Sequence, residues 1–217
     1  MLLCSSLVIH FLILETTTIS TPPPIFGLIS ILTARPSSNT LLADSQMVDS
    51  SQILLFAGIP IIPPYLQPGK RKFTDGVNFA SGGAGALVES HQGFVVDLET
   101  QIKYFNKVEK SLRQELGDAG AKKLLSKAVY LISIGGNDYL TKNSSVSDEE
   151  FVSTVLGNLT VALKEIYKKG GRKFGFPNLL PLGCLPYMKA QSGGYCIDEL
   201  TDIAKLHNAE LLKTLVK

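Results

Sequence analysis

The chain has 217 residues, of which 45% are hydrophobic and 18% are charged, and its formal net charge is +2. This length is sufficient for one domain with a sizeable core, and the composition is typical of a globular protein. A charge so close to neutral, without a basic stripe, gives no electrostatic basis for binding nucleic acid. We therefore expect no nucleic-acid partner.

The first 57 residues differ from the rest of the chain. Their short apolar runs are interrupted by Thr16-Thr17-Thr18, Pro22-Pro23-Pro24 and Ser37-Ser38, and neither a strand period nor a helix period is sustained. We interpret residues 1–57 as a poorly ordered segment, either a signal peptide at its start or a wrongly assigned exon. Its first apolar run is too short to span a membrane, so we expect no stable membrane span.

The folded domain is expected over residues 58–217. A short strand at Gly76–Ala80 leads into the small-residue loop Ser81–Ala86. A nucleotide phosphate loop is the first alternative, but Val88 stands where the spacing from Gly83 requires a glycine, and no Gly-Lys-Ser/Thr follows. The loop therefore predicts only backbone N–H groups that an anionic oxygen can approach.

A strand at Ala128–Ile132, predicted to be buried on both faces, precedes the stretch Ser133–Tyr139. Two glycines break the strand, and Asn137 and Asp138 follow at once. In an open α/β sheet, ligands bind beyond the carboxyl ends of the strands, so this polar pair is well placed for chemistry. The alternative is an ordinary turn, because glycine, asparagine and aspartate are common turn residues.

The remaining pattern alternates helices and strands. A helix at Phe94–Leu116 is ended by Gly117, and a second helix follows at Ala119–Lys127. A third helix is opened by the capping box Ser147–Glu150 and ended by Gly170-Gly171. A strand at Arg172–Phe176 and a last helix from about Ile197 complete the pattern. This alternation predicts a doubly wound parallel sheet.

Cys184 and Cys196 flank a loop that contains Gly193 and Gly194. They form a local disulfide if the protein is secreted, or are two unrelated thiols, and the spacing leaves both readings open. No C-x-x-C motif or Cys/His cluster occurs, so no metal site is predicted. Glycosylation acceptor triplets begin at two asparagines, Asn143 and Asn158.

Four stretches together resemble the plant GDSL-type esterase/lipases of the SGNH hydrolase superfamily. They are Val77–Gly85, Ser133–Tyr139, Gly171–Phe174 with Pro181–Pro186, and Ala204–Asn208. The resemblance implies a flavodoxin-like, three-layer α/β fold with a parallel sheet and helices on both faces, incomplete in this chain. It also implies a secreted monomer that acts on a small-molecule ester or lipid substrate without a cofactor.

The chemistry implied by the resemblance is ester hydrolysis by a serine nucleophile and a histidine base, with an oxyanion hole. By position, the backbone N–H of Gly83 and the side-chain amide of Asn137 match two of the three oxyanion donors. Donors aimed in advance stabilise the charge of a tetrahedral intermediate without reorganising.

The nucleophile and the base of the family are not found in the sequence. The nearest candidate for the Gly-Asp-Ser-Leu block is Asp44-Ser45, which lacks the flanking residues, and no Asp-x-x-His block is present. The histidines are His10, His91 and His207; we expect His91 to be a loop residue and His207 to be structural.

Three interpretations of this incomplete motif set remain. The chain is a truncated or mis-spliced form of an active enzyme, a non-catalytic binding protein that keeps the scaffold, or a non-functional fragment. The missing serine-bearing strand would leave neighbouring strands unpaired inside the sheet, and Ser51–Ala57 is a candidate substitute.

Overall fold

The computed structural model describes residues 6–12, 62–69, 72–142 and 145–216. The strands among these residues are β1 Ser6–Leu12, β2 Gly76–Asn78, β3 Ser81–Gly82, β4 Val129–Ser133 and β5 Lys173–Gly175. The helices are α1 Leu98–Lys127, α2 Gly136–Leu140, α3 Asp148–Lys169, α4 Pro186–Gln191 and α5 Asp198–Leu215, with short 3-10 helices at Phe73–Asp75 and Leu182–Cys184. None of the helices in these ranges is long and apolar enough to cross a membrane.

The described strands form one mixed sheet in the order β2-β1-β4-β5, and β3 pairs with the other end of β1. Strands β4 and β5 are parallel, with Val129 opposite Lys173, as the alternating pattern predicts. Strand β1 instead runs antiparallel to β4, where Val8 pairs with Ser133, and antiparallel to β2 and β3. The described sheet therefore contains the expected parallel pair, β4 and β5, and is made mixed by the antiparallel β1.

Strand β1 lies within residues 1–57, the segment that the sequence analysis expects to carry little stable structure. Ser6–Leu12 lies between β2 and β4, where an empty position would leave both strands with unpaired backbone groups. Because each buried unpaired group costs roughly 1–3 kcal/mol, a strand in this position is strongly favoured. The candidate substitute, Ser51–Ala57, lies outside the described residues, as does the rest of the segment except β1.

The helix boundaries follow local capping chemistry. Helix α1 begins at Leu98 rather than at Phe94, because Asp97 caps it by accepting a hydrogen bond from the Thr100 N–H at 2.8 Å. Its helical geometry is interrupted at Gly117, which confirms the predicted break between two helices. The Ser147 hydroxyl accepts a hydrogen bond from the Glu150 N–H and caps α3, as predicted. Gly170, with a φ of 120°, ends α3.

Strand β4 is fully buried on one face only, which corrects the prediction of burial on both. Tyr130 and Ile132 are buried, whereas the alternate residues are half-buried. The buried face packs on α1, where the ring of Phe105 lies edge-on to Tyr130 with 5.9 Å between centroids. The aromatic contacts that continue from this pair across the core join Tyr65, Phe79, Phe105, Tyr130, Phe174 and Phe176.

Helix α5 is joined to the end of β4 through His207. This side chain is 2% exposed, and its Nδ1 lies 2.6 Å from the hydroxyl of Tyr139 in α2. Burial lowers the pKa of His207 to about 4, so the ring is neutral, and its Nδ1 shares this hydrogen bond with the Tyr139 hydroxyl. His207 is therefore a structural histidine, as the sequence analysis expects.

A disulfide joins Cys184 to Cys196, with 4.4 Å between their Cα atoms. It connects the short 3-10 helix to the segment before α5. Beside it, the Ile197 N–H donates to the Gly183 carbonyl at 3.0 Å. The same backbones approach so closely that a Cβ on Gly183 would lie 1.8 Å from the Ile197 carbonyl oxygen. Together these contacts fix where α5 starts.

The disulfide should add modestly to stability. We expect the double variant Cys184→Ser/Cys196→Ser to unfold with a free energy lower by about 3 kcal/mol or less, because the bond closes a loop with a sequence separation of only 12. Urea denaturation monitored by circular dichroism measures the difference, with Cys4→Ser as the control. Equal stability of all three proteins would contradict the prediction.

The buried His207 should make stability depend on pH. Between pH 6.5 and about 4 the unfolded chain binds a proton at this position that the folded chain excludes, so stability falls as the pH falls through this window. The lowered pKa corresponds to a loss of roughly 3 kcal/mol in the free energy of unfolding between pH 7 and pH 4. The His207→Phe variant should lack this component. Urea denaturation at both pH values measures it, and an identical pH dependence in the two proteins would refute the assignment.

Candidate functional site

The centre of the site is the short helix α2, which begins directly after β4. The chain turns between them at Gly135, whose φ is 110°. A Cβ at this position would also lie 2.8 Å from Cε1 of His207, so both the turn and the close packing require glycine. The turn places the next polar residues, Asn137 and Asp138, in the protein interior, where they are 3% and 0% exposed.

Asp138 binds the loop that follows β3. Its Oδ2 accepts a hydrogen bond from the Ala86 N–H at 2.8 Å, and its Oδ1 accepts from the Leu87 N–H at 2.9 Å and from the Ser90 hydroxyl at 2.6 Å. These donors stand 48 to 52 residues away in the sequence. Asp138 therefore joins two distant parts of the chain, which a residue serving only its own turn would not do.

The electrostatics of Asp138 reflect two opposing effects. Burial raises the pKa of the carboxyl group, and the hydrogen bonds from Ser90, Leu87 and Ala86 act in the opposite direction. The carboxylate is also tightly enclosed, since a Cβ on Gly85 would lie 2.2 Å from Oδ1. Glycine at this position thus lets the loop backbone reach the carboxylate.

Asn137 binds the same loop one step closer to β3. Its Nδ2 donates a hydrogen bond to the carbonyl of Ala84 at 2.9 Å. Ala84 directly follows Gly83, so the structure brings the two predicted oxyanion residues into neighbouring positions. Both residues are buried, and hydrogen-bond donors are more effective in such surroundings than in water.

Gly83 occupies a backbone conformation that favours glycine. Its φ is 88°, and a Cβ there would lie 3.2 Å from Cγ1 of Val95. The carbonyl of Gly83 accepts a hydrogen bond from Nδ1 of His91 at 2.8 Å. His91 is a loop residue, as predicted, and its side chain contacts the predicted oxyanion loop.

The other predicted residues do not gather at this site. Asn158 is exposed on α3, Asn143 lies outside the described residues, and the Cys184–Cys196 disulfide lies beside α5. Asp44-Ser45 also falls outside the described ranges. The gathered residues that the sequence analysis did not anticipate are Ser90, Gly85 and His91.

A cavity of about 390 Å³ lies beside the oxyanion loop, between α1 and α3. Its apolar lining consists of Ala86, Val88, Leu98, Ile102, Val161 and Ala162, and its charged residues are all acidic. Neither Gly83 nor Asn137 lines it. The cavity therefore shares the loop with the candidate site but does not contain the two predicted donors.

The amino-acid sequence is similar to one known family and to several of its plant members. The family described as GDSL-like lipase/acylhydrolase matches residues 39–217. A protein named GDSL lipase from Tanacetum cinerariifolium is 48% identical over 161 residues, covering 74% of this chain and 44% of that protein. The protein named GDSL esterase/lipase 5 from Arabidopsis thaliana is 45% identical over 182 residues, covering 80% of this chain and 47% of that protein.

A more distant relative has a different name. The Arabidopsis thaliana protein named inactive GDSL esterase/lipase-like protein 25 is 34% identical over 203 residues, covering 90% of this chain and 44% of that protein. The chain thus spans about half the length of the curated relatives it matches. No solved structure matches it significantly. The extent of the family match and the identity to several plant proteins show that the chain belongs to the GDSL lipase/acylhydrolase family.

Proposed function

We propose that this chain supplies the oxyanion half of a carboxylic ester hydrolase site, with the Gly83 N–H and the Asn137 amide as donors. The observation that carries the proposal is the hydrogen bond from Asn137 to the Ala84 carbonyl, which holds the two predicted donor residues next to one another in a buried position. The substrate class is a small-molecule ester or lipid, in keeping with the names of the relatives.

Two histidines whose side chains the structure describes, His91 and His207, bear on the question of the general base. The Nδ1 of His207 is buried against Tyr139, and the Nδ1 of His91 is bonded to the Gly83 carbonyl. A base for ester hydrolysis must reach the proton of its nucleophile, and the ring of His207 is 2% exposed. The proposal assigns the role of base to neither His91 nor His207, because neither stands in an Asp-x-x-His block.

Two features support an extracellular location as part of the proposal. The Cys184–Cys196 disulfide persists in oxidising compartments, and the acceptor Asn158 is exposed. Modification of Asn158 by a glycan and a role in lipid metabolism belong to the same proposal. The monomeric state stays a prediction.

The alternative function is a non-catalytic protein that keeps the family scaffold. The relative named inactive supports it, because that protein matches 90% of this chain. The Asp138 network supports it as well, since a scaffold without chemistry would still need its loops joined. An activity measurement separates the two functions.

The 217-residue chain on its own should show no esterase activity. It contains no Gly-Asp-Ser-Leu or Asp-x-x-His block, and the nucleophile and base supply most of the rate in such enzymes. Release of p-nitrophenol from p-nitrophenyl butyrate by the purified chain, followed by absorbance, measures this. Turnover that the Ser45→Ala variant abolishes would contradict the prediction and identify Asp44-Ser45 as the nucleophile block.

The oxyanion role is tested in the protein encoded by the complete transcript, once sequencing has shown whether the serine and histidine blocks flank this chain. There Asn137→Ala should lower kcat by about 10²–10³-fold and change KM far less, because the amide meets the oxyanion mainly in the transition state. Steady-state kinetics per folded molecule measure both constants. Absence of activity in the unmodified complete protein would refute the hydrolase and favour the scaffold.

Asn208→Ala is the matched control for this substitution. Asn208 also joins its side chain to a loop backbone, since it donates to the Leu179 carbonyl at 2.9 Å and accepts from the Leu179 N–H at 2.8 Å. Its loss should lower stability and leave kcat nearly unchanged. Equal kcat values for the Asn137 and Asn208 variants would show that Asn137 serves stability alone.

A further inference from the structure

His91 has a left-handed backbone conformation, which is uncommon for residues other than glycine. Its φ is 52°, and among the described residues other than glycine it is the one with positive φ. L-residues adopt this left-handed region at a cost, and such strain persists only where the surroundings enforce it. The conformation therefore calls for an interaction that holds His91 in place.

The interaction is found at the Gly83 carbonyl. A carbonyl oxygen only accepts, so Nδ1 of His91 carries the hydrogen of the 2.8 Å bond between them. The other end of the same peptide unit is also engaged, because the Ala84 N–H donates to the Ser81 carbonyl at 3.1 Å. The peptide between Gly83 and Ala84 is thus held at both polar atoms.

The direction of the Gly83 N–H depends on the peptide unit between Gly83 and Ala84 and on the chain before it. The N–H belongs to the preceding peptide unit, and the two units are related only by φ and ψ of Gly83. Glycine is the residue with the widest choice of these angles. Gly83 therefore imposes little direction by itself, and its N–H is oriented because its peptide unit lies between Gly82, which is paired with Ser6 in the sheet, and the peptide unit that His91 holds.

The segment carrying His91 is anchored in turn by Asp138. The residue before His91 is Ser90, which is 3% exposed and donates its hydroxyl hydrogen to Asp138 Oδ1 at 2.6 Å. On the other side of His91, the Phe94 N–H donates to the His91 carbonyl at 3.0 Å and closes the turn. His91 is therefore held between a buried anchor and a closed turn, with its ring directed at Gly83.

We propose that His91 is a positioning residue, which aims the Gly83 N–H at the oxyanion site, and that Asp138 holds His91 in place through Ser90. His91 does not touch the reacting atoms in this role. The inference rests on the proposed function, because the direction of the Gly83 N–H matters to a reaction only if that group binds the oxyanion. The hydrogen bond itself is testable without any hydrolysis.

Two substitutions separate the hydrogen bond from the strain. His91→Gly relieves the left-handed backbone but removes the ring, so the bond is lost while the turn is not penalised. His91→Asn tolerates the same backbone and places an amide nitrogen at the δ position of the side chain, where it can donate to the Gly83 carbonyl. A purely structural turn residue would be replaced well by either.

The experiment uses the ¹⁵N-labelled 217-residue chain. Hydrogen exchange and the amide resonances of Gly83 and Ala84 are compared with those of Phe105 and Val108, which report on the buried core of α1. In His91→Gly, exchange at Ala84 should rise roughly fivefold relative to the α1 amides, and the Gly83 resonance should move. In His91→Asn, both should stay near the wild-type values. Gln92→Ala, at the exposed neighbouring residue, should change neither.

Each outcome decides the proposal. Unchanged exchange and resonances in His91→Gly, or equal effects of the glycine and asparagine variants, overturn it. If His91→Gly does not fold, Ser90→Ala decides instead: it should raise exchange at Ala84 to a smaller extent, and no change there overturns the anchoring by Asp138. These measurements require no catalysis, so they can succeed even if the hydrolase proposal fails. Failure of the positioning role and failure of the proposed function are therefore distinguishable.

Discussion

The buried carboxylate of Asp138, with three donors from a single loop, is the interaction on which the candidate site depends. A carboxylate removed from water is costly unless hydrogen bonds replace its hydration, and here two N–H groups and one hydroxyl do so. A five-residue helix such as α2 is not stable in isolation. It is held because consecutive side chains contact different parts of the chain: Asn137 and Asp138 bind the loop after β3, and Tyr139 binds His207 on α5.

Close backbone approach is the second constraint on this arrangement. Gly85 lies against Asp138, Gly135 against His207 and Gly183 against Ile197, and a Cβ at each position would be closer than 3.0 Å to its neighbour. In each case the close neighbour stands many residues away in the sequence, so the requirement for glycine comes from packing as well as from the local backbone conformation. The glycines of the motif stretches therefore serve the packing of distant segments as well as the turns that contain them.

The parts of the fold that could be predicted from sequence are those fixed by local chemistry. The cap at Ser147, the interruption at Gly117 and the stop at Gly170 each depend on residues within one or two turns. The pairing of β1 could not be predicted, because its partner strands β2 and β4 lie far along the chain and the residues of β1 alone do not specify them. The bond between Asp138 and Ser90 could not be predicted either, since 48 residues separate them. The family resemblance identified Gly83 and Asn137 but carried no information about what directs them.

The position of β1 also has a consequence for the order of events during synthesis. Val8 is synthesised well before its partner Ser133, so β1 must wait for β4 to be made. At about 5–20 residues per second, the interval is on the order of ten seconds. Throughout it, an apolar segment with unpaired backbone groups is accessible to any factor that captures nascent chains. Completion of the sheet is therefore in kinetic competition with that capture, and slower translation would favour the factor over the fold.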